Sequence, residues 1–146
     1  MPKLPPLTQP DLEELLLSPP RVAKLATRAR DGTIRITPLW FLARGGEIVM
    51  NTGESAEAAR NLRRDPRCSL LIDSEGLGST VALHYRGTAA VEPGADSEGV
   101  ADIIERYIGS REQALAFANE RGKFGPRVFI RFKPEQTLTW DLRQAG

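Results

Sequence analysis

The segment IRITPLWFLARGGEIVMNTG, residues 34–53, decides the fold. Its alternating pattern predicts two strands, Thr33 to Ala43 and Glu47 to Thr52. Between them lies Gly45-Gly46, a glycine pair typical of a tight hairpin turn. The segment therefore predicts an antiparallel hairpin, which needs no crossover helix.

The hairpin extends in both directions along the chain. Upstream, the short apolar run Arg21 to Thr27 and the turn signal Asp31-Gly32 predict one more antiparallel strand. Downstream, the sequence predicts a loop from Gly76 to Ser79 and a bend at Gly87 in a long strand. The predicted downstream strands are Arg67 to Asp73, Val81 to Val91, Arg127 to Phe132, and a short last strand from Thr137 to Asp141. Short turns and this number of strands predict a mainly β fold, an antiparallel barrel that is closed or nearly closed.

Four helices are expected around these strands. Thr8 is suited to cap the first helix, Ser55 a helix from Ala56 to Arg64, and Ser110 the last one. Between them, an apolar stripe at helical spacing predicts an amphipathic helix. The stripe consists of Val100, Ile103, Ile104 and Tyr107.

The length and composition of the chain restrict the kinds of protein it can be. The 146 residues fit a single domain, 1–146, and the formal net charge of +1 argues against bulk nucleic acid as a partner. The single cysteine, Cys68, lies in an apolar run and is expected to be a core residue. No signal peptide or membrane helix is predicted, so the expected location is the cytoplasm.

Catalytic constellations are largely missing from the sequence. His84 is the single histidine, so a metal site is poorly supported and none is predicted. There is no nucleophile elbow, no phosphate-loop lysine motif and no pair of clustered carboxylates. No catalytic residue can be assigned, and the protein is expected either to bind a ligand or to rely on a cofactor for its chemistry.

The most distinctive stretch is Arg60-Asn-Leu-Arg-Arg-Asp-Pro-Arg67. Together with Thr37-Pro-Leu-Trp40, Asn51-Thr-Gly53 and Tyr85-Arg-Gly-Thr-Ala89, it resembles the pyridoxamine-phosphate-oxidase-like split-barrel superfamily. The resemblance is greatest to the branch that uses flavin or the deazaflavin coenzyme F-420. It runs from about Leu12 to Trp140 and implies a split β-barrel with Greek-key-like connections. It also implies a homodimer with two cofactor sites at the subunit interface.

The resemblance also implies which residues contact the cofactor. Those along its ring system would be Ile36, Thr37, Pro38, Leu39 and Trp40. Asn51, Thr52 and Gly53 would approach the ring or the ribityl chain. The segment from Ser55 to Asn61, with Ala58 and Arg60, would surround the phosphate, and Trp140 would close the site, from either subunit.

One position departs from this pattern. Relatives that bind the cofactor have a phosphate-binding lysine where this chain has Ala58, next to Glu57. Either Arg60 or an arginine from a neighbouring strand, such as Arg86 or Arg131, supplies the missing charge, or the chain has lost the phosphorylated cofactor, or the pocket takes a different ligand. If the phosphate loop is aligned correctly, Ala58→Lys should tighten the binding of a phosphorylated flavin.

Two function classes follow. The first is an oxidoreductase that uses reduced coenzyme F-420 or FMN to transfer hydride to an unsaturated organic substrate. The second is a binding protein without catalysis, either a cofactor carrier or a barrel that holds haem, another tetrapyrrole or another planar ligand. Ala58 favours the second class, and turnover of a reduced cofactor would separate the two.

Overall fold

Six antiparallel strands close into a barrel in the computed structural model, which describes residues 5, 7–75 and 81–144. The strands are β1 (Val22–Arg28), β2 (Ile34–Arg44), β3 (Glu47–Gly53), β4 (Arg67–Asp73), β5 (Val81–Pro93) and β6 (Arg127–Asp141). Their order around the barrel is β1-β2-β3-β6-β5-β4, so β6 pairs with β3 and β4 pairs with β1. The predicted mainly β split-barrel architecture is confirmed. The predicted loop from Gly76 to Ser79 lies outside the described residues.

The hairpin predicted for residues 34–53 forms as expected. β2 and β3 are joined by Gly45 and Gly46, with φ angles of 59° and 78°. Two successive positive φ values match the right-handed twist of the flanking strands and are readily adopted by glycine. This turn fixes the register in which Arg44 faces Glu47 and Phe41 faces Met50.

In the described part of the chain, four α-helices flank the barrel: α1 (Gln9–Leu17), α2 (Glu57–Arg64), α3 (Ser97–Ile108) and α4 (Arg111–Gly122). A short 3-10 turn, Leu142–Gln144, follows β6. The Thr8 hydroxyl accepts a hydrogen bond from the Asp11 N–H at 3.3 Å, and the Ser110 hydroxyl accepts one from the Gln113 N–H at 3.2 Å, so both predicted caps are confirmed. The predicted cap of α2 is wrong. Ser55 lies in the turn after β3, which the Ala56 N–H closes on the Gly53 carbonyl at 3.1 Å, so the helix starts one residue later. Ala56 is the N-cap and has no polar side chain with which to cap the helix.

The last strand differs from the prediction of two separate strands, Arg127 to Phe132 and Thr137 to Asp141. β6 runs without interruption through Pro134, which faces Gly87 of β5, and the register shifts between Arg86 and Gly87. At such a bulge one residue is left out of the ladder, so a proline without an N–H is tolerated.

The main hydrophobic core fills the barrel and extends under α1 and α2. It includes the fully buried Phe41, Phe132, Leu25 and Leu83. A second, smaller cluster lies between α3 and α4, where Val100 and Ile104 pack with Ala114 and Ala118 and contact Trp40 of β2. The helix pair α3–α4 is thereby fixed against the outside of the barrel, beside Trp40 of β2.

Candidate functional site

β2 and β3 separate halfway along their length. They pair only from Phe41↔Met50 to Arg44↔Glu47. Beyond that point β2 continues to pair with β1 alone, from Val22↔Trp40 to Arg28↔Ile34, while β3 continues against β6. Pro38 lies in the half of β2 that pairs with β1 alone and leaves its other edge without a partner strand. A residue without an N–H is tolerated at such an edge. Alternate backbone N–H and C=O groups on the facing edges are left free for a ligand.

A cleft of about 400 Å³ occupies this separation. It is bounded by the two strand edges and by the helix pair α3–α4. Its lining residues are Pro38, Leu39, Trp40, Asn51, Thr52, Ile104, Phe117, Arg121 and Arg127. The structure thus brings together in one cleft the central residues of the two predicted binding segments, one from β2 and one from β3.

One wall of the cleft is aromatic. The Trp40 ring stacks on Tyr107 with a centroid distance of 4.4 Å and an interplanar angle of 4°, and Phe117 lies 6.2 Å away at 29°. The Tyr107 hydroxyl donates to the Arg21 carbonyl at 2.6 Å and accepts from the Phe41 N–H at 2.9 Å. Burial raises the pKa of Tyr107, so the phenol stays protonated. These contacts hold Trp40 in a fixed orientation beside the cleft.

Two cations also line the cleft. Arg127 donates to the Asn51 side-chain oxygen from Nη2 at 2.6 Å and from Nε at 3.2 Å. The Arg121 guanidinium lies 5.1 Å from the centre of the Phe117 ring. Neither arginine was predicted from the sequence as a site residue. The available signal was the alternation of Arg127 with buried Val128 at the start of β6, which places Arg127 on the outer face, beside Gly53 in the register.

Other predicted residues lie beside the cleft. Gly53 ends β3, and Ser55 is exposed in the turn that leads to α2. Thr37 is half-buried, whereas Ile36 is 64% exposed on the outer face of β2. Arg60 is exposed on α2 and takes part in none of the ion pairs of the described residues. Along the chain, Gly53, Ser55 and Arg60 thus lead from the cleft-lining end of β3 into α2.

Ala58 and Asn61 lie in the interior instead. Ala58 is 3% exposed and belongs to the main core. The Asn61 amide nitrogen donates to the Thr27 hydroxyl at 3.1 Å, and its oxygen accepts from Arg64 at 3.0 Å. The positions of both side chains fit a role in fixing α2 to the barrel.

This placement gives an expectation for Ala58→Lys that differs from the one based on the sequence. We expect the variant to lose about 1–2 kcal/mol of unfolding free energy, because the lysine must bury its stem and bring its charge out to solvent. Ser55→Lys adds the same charge at an exposed position and should unfold at the wild-type urea concentration. An Ala58→Lys variant that is as stable as Ser55→Lys and binds FMN more tightly than wild type would contradict the buried placement.

The other predicted sources of positive charge lie elsewhere. Arg86 lines a separate cavity of about 470 Å³ together with Arg67 and Cys68. Arg131 is paired with Glu47 at 3.0 Å and with Glu92 at 3.4 Å. Cys68 itself is buried, and burial with nearby carboxylates raises the pKa of its thiol to about 12, as expected for a core residue.

Trp140 is also remote from the cleft within one chain. It lies on the outer face of β6, 44% exposed, with its ring 6.0 Å from that of His84. Partial burial and the positive charge of Arg86 lower the pKa of His84, so its imidazole is neutral at pH 7. Leu138, which faces His84 in the β5–β6 register, is exposed on the same face.

Over the described part of the chain, no group of three or more His, Cys, Asp or Glu side chains is arranged to hold a metal ion. Within the same residues, no helix has the length and apolar character needed to span a bilayer.

A family model described as pyridoxamine 5′-phosphate oxidase matches residues 9–141. None of the curated proteins matches the sequence significantly. Among solved structures, a conserved hypothetical protein from Mycobacterium tuberculosis has 26% identity and a TM-score of 0.78, and the match covers 97% of this chain and 89% of the other.

Two further structures share the fold at lower identity. An F-420 reductase has 23% identity and a TM-score of 0.65, with 86% of this chain and 94% of the other covered. A haem storage protein from Vibrio cholerae has 20% identity and a TM-score of 0.66, with 91% and 93% covered.

Proposed function

This chain belongs to the pyridoxamine 5′-phosphate oxidase family over residues 9–141, and from that premise we propose that it is an oxidoreductase that binds coenzyme F-420 or FMN. The proposed reaction is transfer of hydride from the reduced cofactor to an unsaturated organic substrate. The similarity to an F-420 reductase supports this choice of cofactor class. The cleft between β2 and β3 is the proposed site.

The observation that carries the proposal is the form of the cleft. Its volume of about 400 Å³ lies in the range of small-molecule sites. Two unpaired strand edges offer hydrogen-bonding groups to the polar edge of a planar ring, and Trp40 offers an apolar surface. Apolar walls with a few fixed polar groups are typical of sites for flat cofactors.

The residues of the cleft would bind and orient the cofactor rather than react. When bound, the cofactor supplies the hydride chemistry. Pro38, Leu39 and Trp40 would exclude water from one side, and Asn51 and Thr52 would position the polar groups. Since no carboxylate or imidazole belongs to the described lining of the cleft, solvent is the proposed source of any proton.

We further propose that the protein acts as a homodimer. Ile34, Ile36, Leu138 and Trp140 are large apolar side chains exposed on the barrel surface, and burying them against a second copy would remove apolar area from water. The partner's Trp140 would then complete the site near the cofactor ring.

The test is a fluorescence titration of the purified protein with coenzyme F-420 and, separately, with FMN. We expect micromolar or tighter binding of one of the two. Trp40→Leu should weaken that binding about tenfold, because it removes an aromatic stacking surface. Phe124→Leu is the control, since Phe124 is 88% exposed and lies outside the cleft. Binding of neither cofactor by the folded protein would refute the proposal.

A carrier without catalysis is the second candidate function. It is favoured by the absence of a titratable acid from the described cleft lining and by the neutral His84 on an exposed apolar face beside Trp140. Neutral imidazole is a ligand of haem iron. A haem titration distinguishes this candidate: a Soret shift that is lost in His84→Ala supports the carrier, whereas oxidation of bound reduced cofactor by an organic acceptor supports the enzyme.

A further inference from the structure

Arg121 and Arg127 are two cations in one cleft without an acidic partner. In residues 5, 7–75 and 81–144, neither guanidinium forms an ion pair with a carboxylate. The Arg127 guanidinium donates its hydrogen bonds to the neutral side chain of Asn51, and Arg121 lies over the Phe117 ring. Both side chains line the cleft.

Two further arginines, one on β6 and one on α4, are neutralised by carboxylates. Arg131, four positions further along β6 on the same face as Arg127, is paired with two glutamates. Arg111, at the start of α4, is paired with Glu98, Asp102 and Glu105. Arg121 and Arg127 therefore differ from the other arginines of α4 and β6 in having no acidic partner among the described residues.

The free pair is electrostatically unfavourable without a ligand. Arg127 is partly buried, and its burial together with the charge of Arg121 lowers the pKa of its guanidinium. A bound anion would compensate both the lost hydration and the repulsion. Since a guanidinium offers several donors in one plane, planar or tetrahedral oxyanions suit it best.

We infer that Arg121 and Arg127 bind an oxyanion, a carboxylate or a phosphate, on a ligand whose planar part lies against Trp40 and Phe117. The inference rests on the proposed function only for the identity of that planar part, which is the cofactor or its organic substrate. The pair would supply the positive charge that Ala58 cannot, from β6 and α4 rather than from α2. It thus favours acidic conjugated ligands over neutral ones.

The experiment uses two pairs of probes that differ in their anionic group. FMN and riboflavin differ by a phosphate, and cinnamate and cinnamamide differ by a carboxylate charge. Calorimetric titrations give the preference for the anionic member of each pair in wild type, Arg127→Gln, Arg121→Gln and the control Arg30→Gln. Arg30 is an exposed residue in the β1–β2 turn, so its variant removes the same charge outside the cleft.

We expect wild type and Arg30→Gln to prefer the anionic member of at least one pair. Arg127→Gln should reduce that preference about tenfold to a hundredfold, and Arg121→Gln less, because Arg121 is the more exposed. The pair that responds identifies the source of the anion: loss with FMN assigns the cofactor phosphate, and loss with cinnamate assigns a substrate carboxylate. Because each preference is a ratio within one variant, a partly destabilised variant remains informative.

Two outcomes overturn the inference. The first is a wild-type protein without preference for either anion, and the second is a preference that Arg127→Gln and Arg121→Gln both retain in full. If flavin still binds in that case, the proposed function survives without the anion site. If neither flavin binds but the cinnamate preference depends on Arg127, the anion site stands and the proposed cofactor is wrong. Arg127→Lys should keep part of the preference, with a stronger dependence on salt than wild type.

Discussion

Gly87→Ala is expected to destabilise the protein by about 4 kcal/mol or more, the largest effect of a methyl group added at any glycine that the structure describes. A Cβ at Gly87 would lie 2.0 Å from the carbonyl oxygen of Lys133, which belongs to the backbone of the paired strand β6. A side-chain rotation cannot relieve this contact, so the β5–β6 ladder must open at its bulge. Urea unfolding followed by circular dichroism measures the change.

Gly122→Ala provides the matched control. Gly122 ends α4, and a Cβ there would meet no atom within 4 Å. We expect this variant to be as stable as wild type or about 0.5–1 kcal/mol more stable, since alanine is the better helix former. If Gly87→Ala unfolds at the same urea concentration as Gly122→Ala, the close approach of β5 and β6 at the bulge is wrong.

Most of the fold could be predicted because its signals are local. The Gly45-Gly46 turn and the Thr8 and Ser110 caps each depend on a few adjacent residues, and the structure contains all of them. The continuity of β6 could not be predicted in this way. Whether Pro134 breaks a strand depends on what faces it, and the bulge opposite Gly87 is a property of the pairing, not of either segment.

The candidate site was predictable only on the barrel side. Trp40 and Asn51 follow from the resemblance of their strands to one family, and the structure places both in the cleft. Phe117 and Arg121 were missed because the docking of α4 beside β2 depends on tertiary packing, and Arg127 was missed because the pairing of β6 with β3 joins segments far apart in the sequence. Ala58 shows a limit of the family resemblance itself. Ala58 aligns with a ligand-binding position, but its side chain faces the core.

Arg106 links the helix pair to the place where β2 leaves β3. From α3, its guanidinium donates to the carbonyl of Phe41 and, at 2.9 Å and 3.2 Å, to the carbonyls of Leu17 and Ser18 after α1. It also lies 5.0 Å from the centre of the Phe41 ring. One side chain thus satisfies carbonyls from two separate segments and fixes α3 next to Trp40.

Arg106→Ala is therefore expected to lower the free energy of unfolding by about 3 kcal/mol, because charged hydrogen bonds are lost and partly buried carbonyls are left unpaired. Since α3 would no longer be fixed to the strand that carries Trp40, FMN or coenzyme F-420 binding should weaken about tenfold even where the variant is fully folded. Arg106→Lys keeps the charge but not the forked donors and should recover only part of both losses.

The control is Arg111→Ala, which removes exposed ion pairs from α4 and should cost less than about 1 kcal/mol. Equal stability of the Arg106→Ala and Arg111→Ala variants would mean that packing of the second hydrophobic cluster alone holds the helix pair over the cleft.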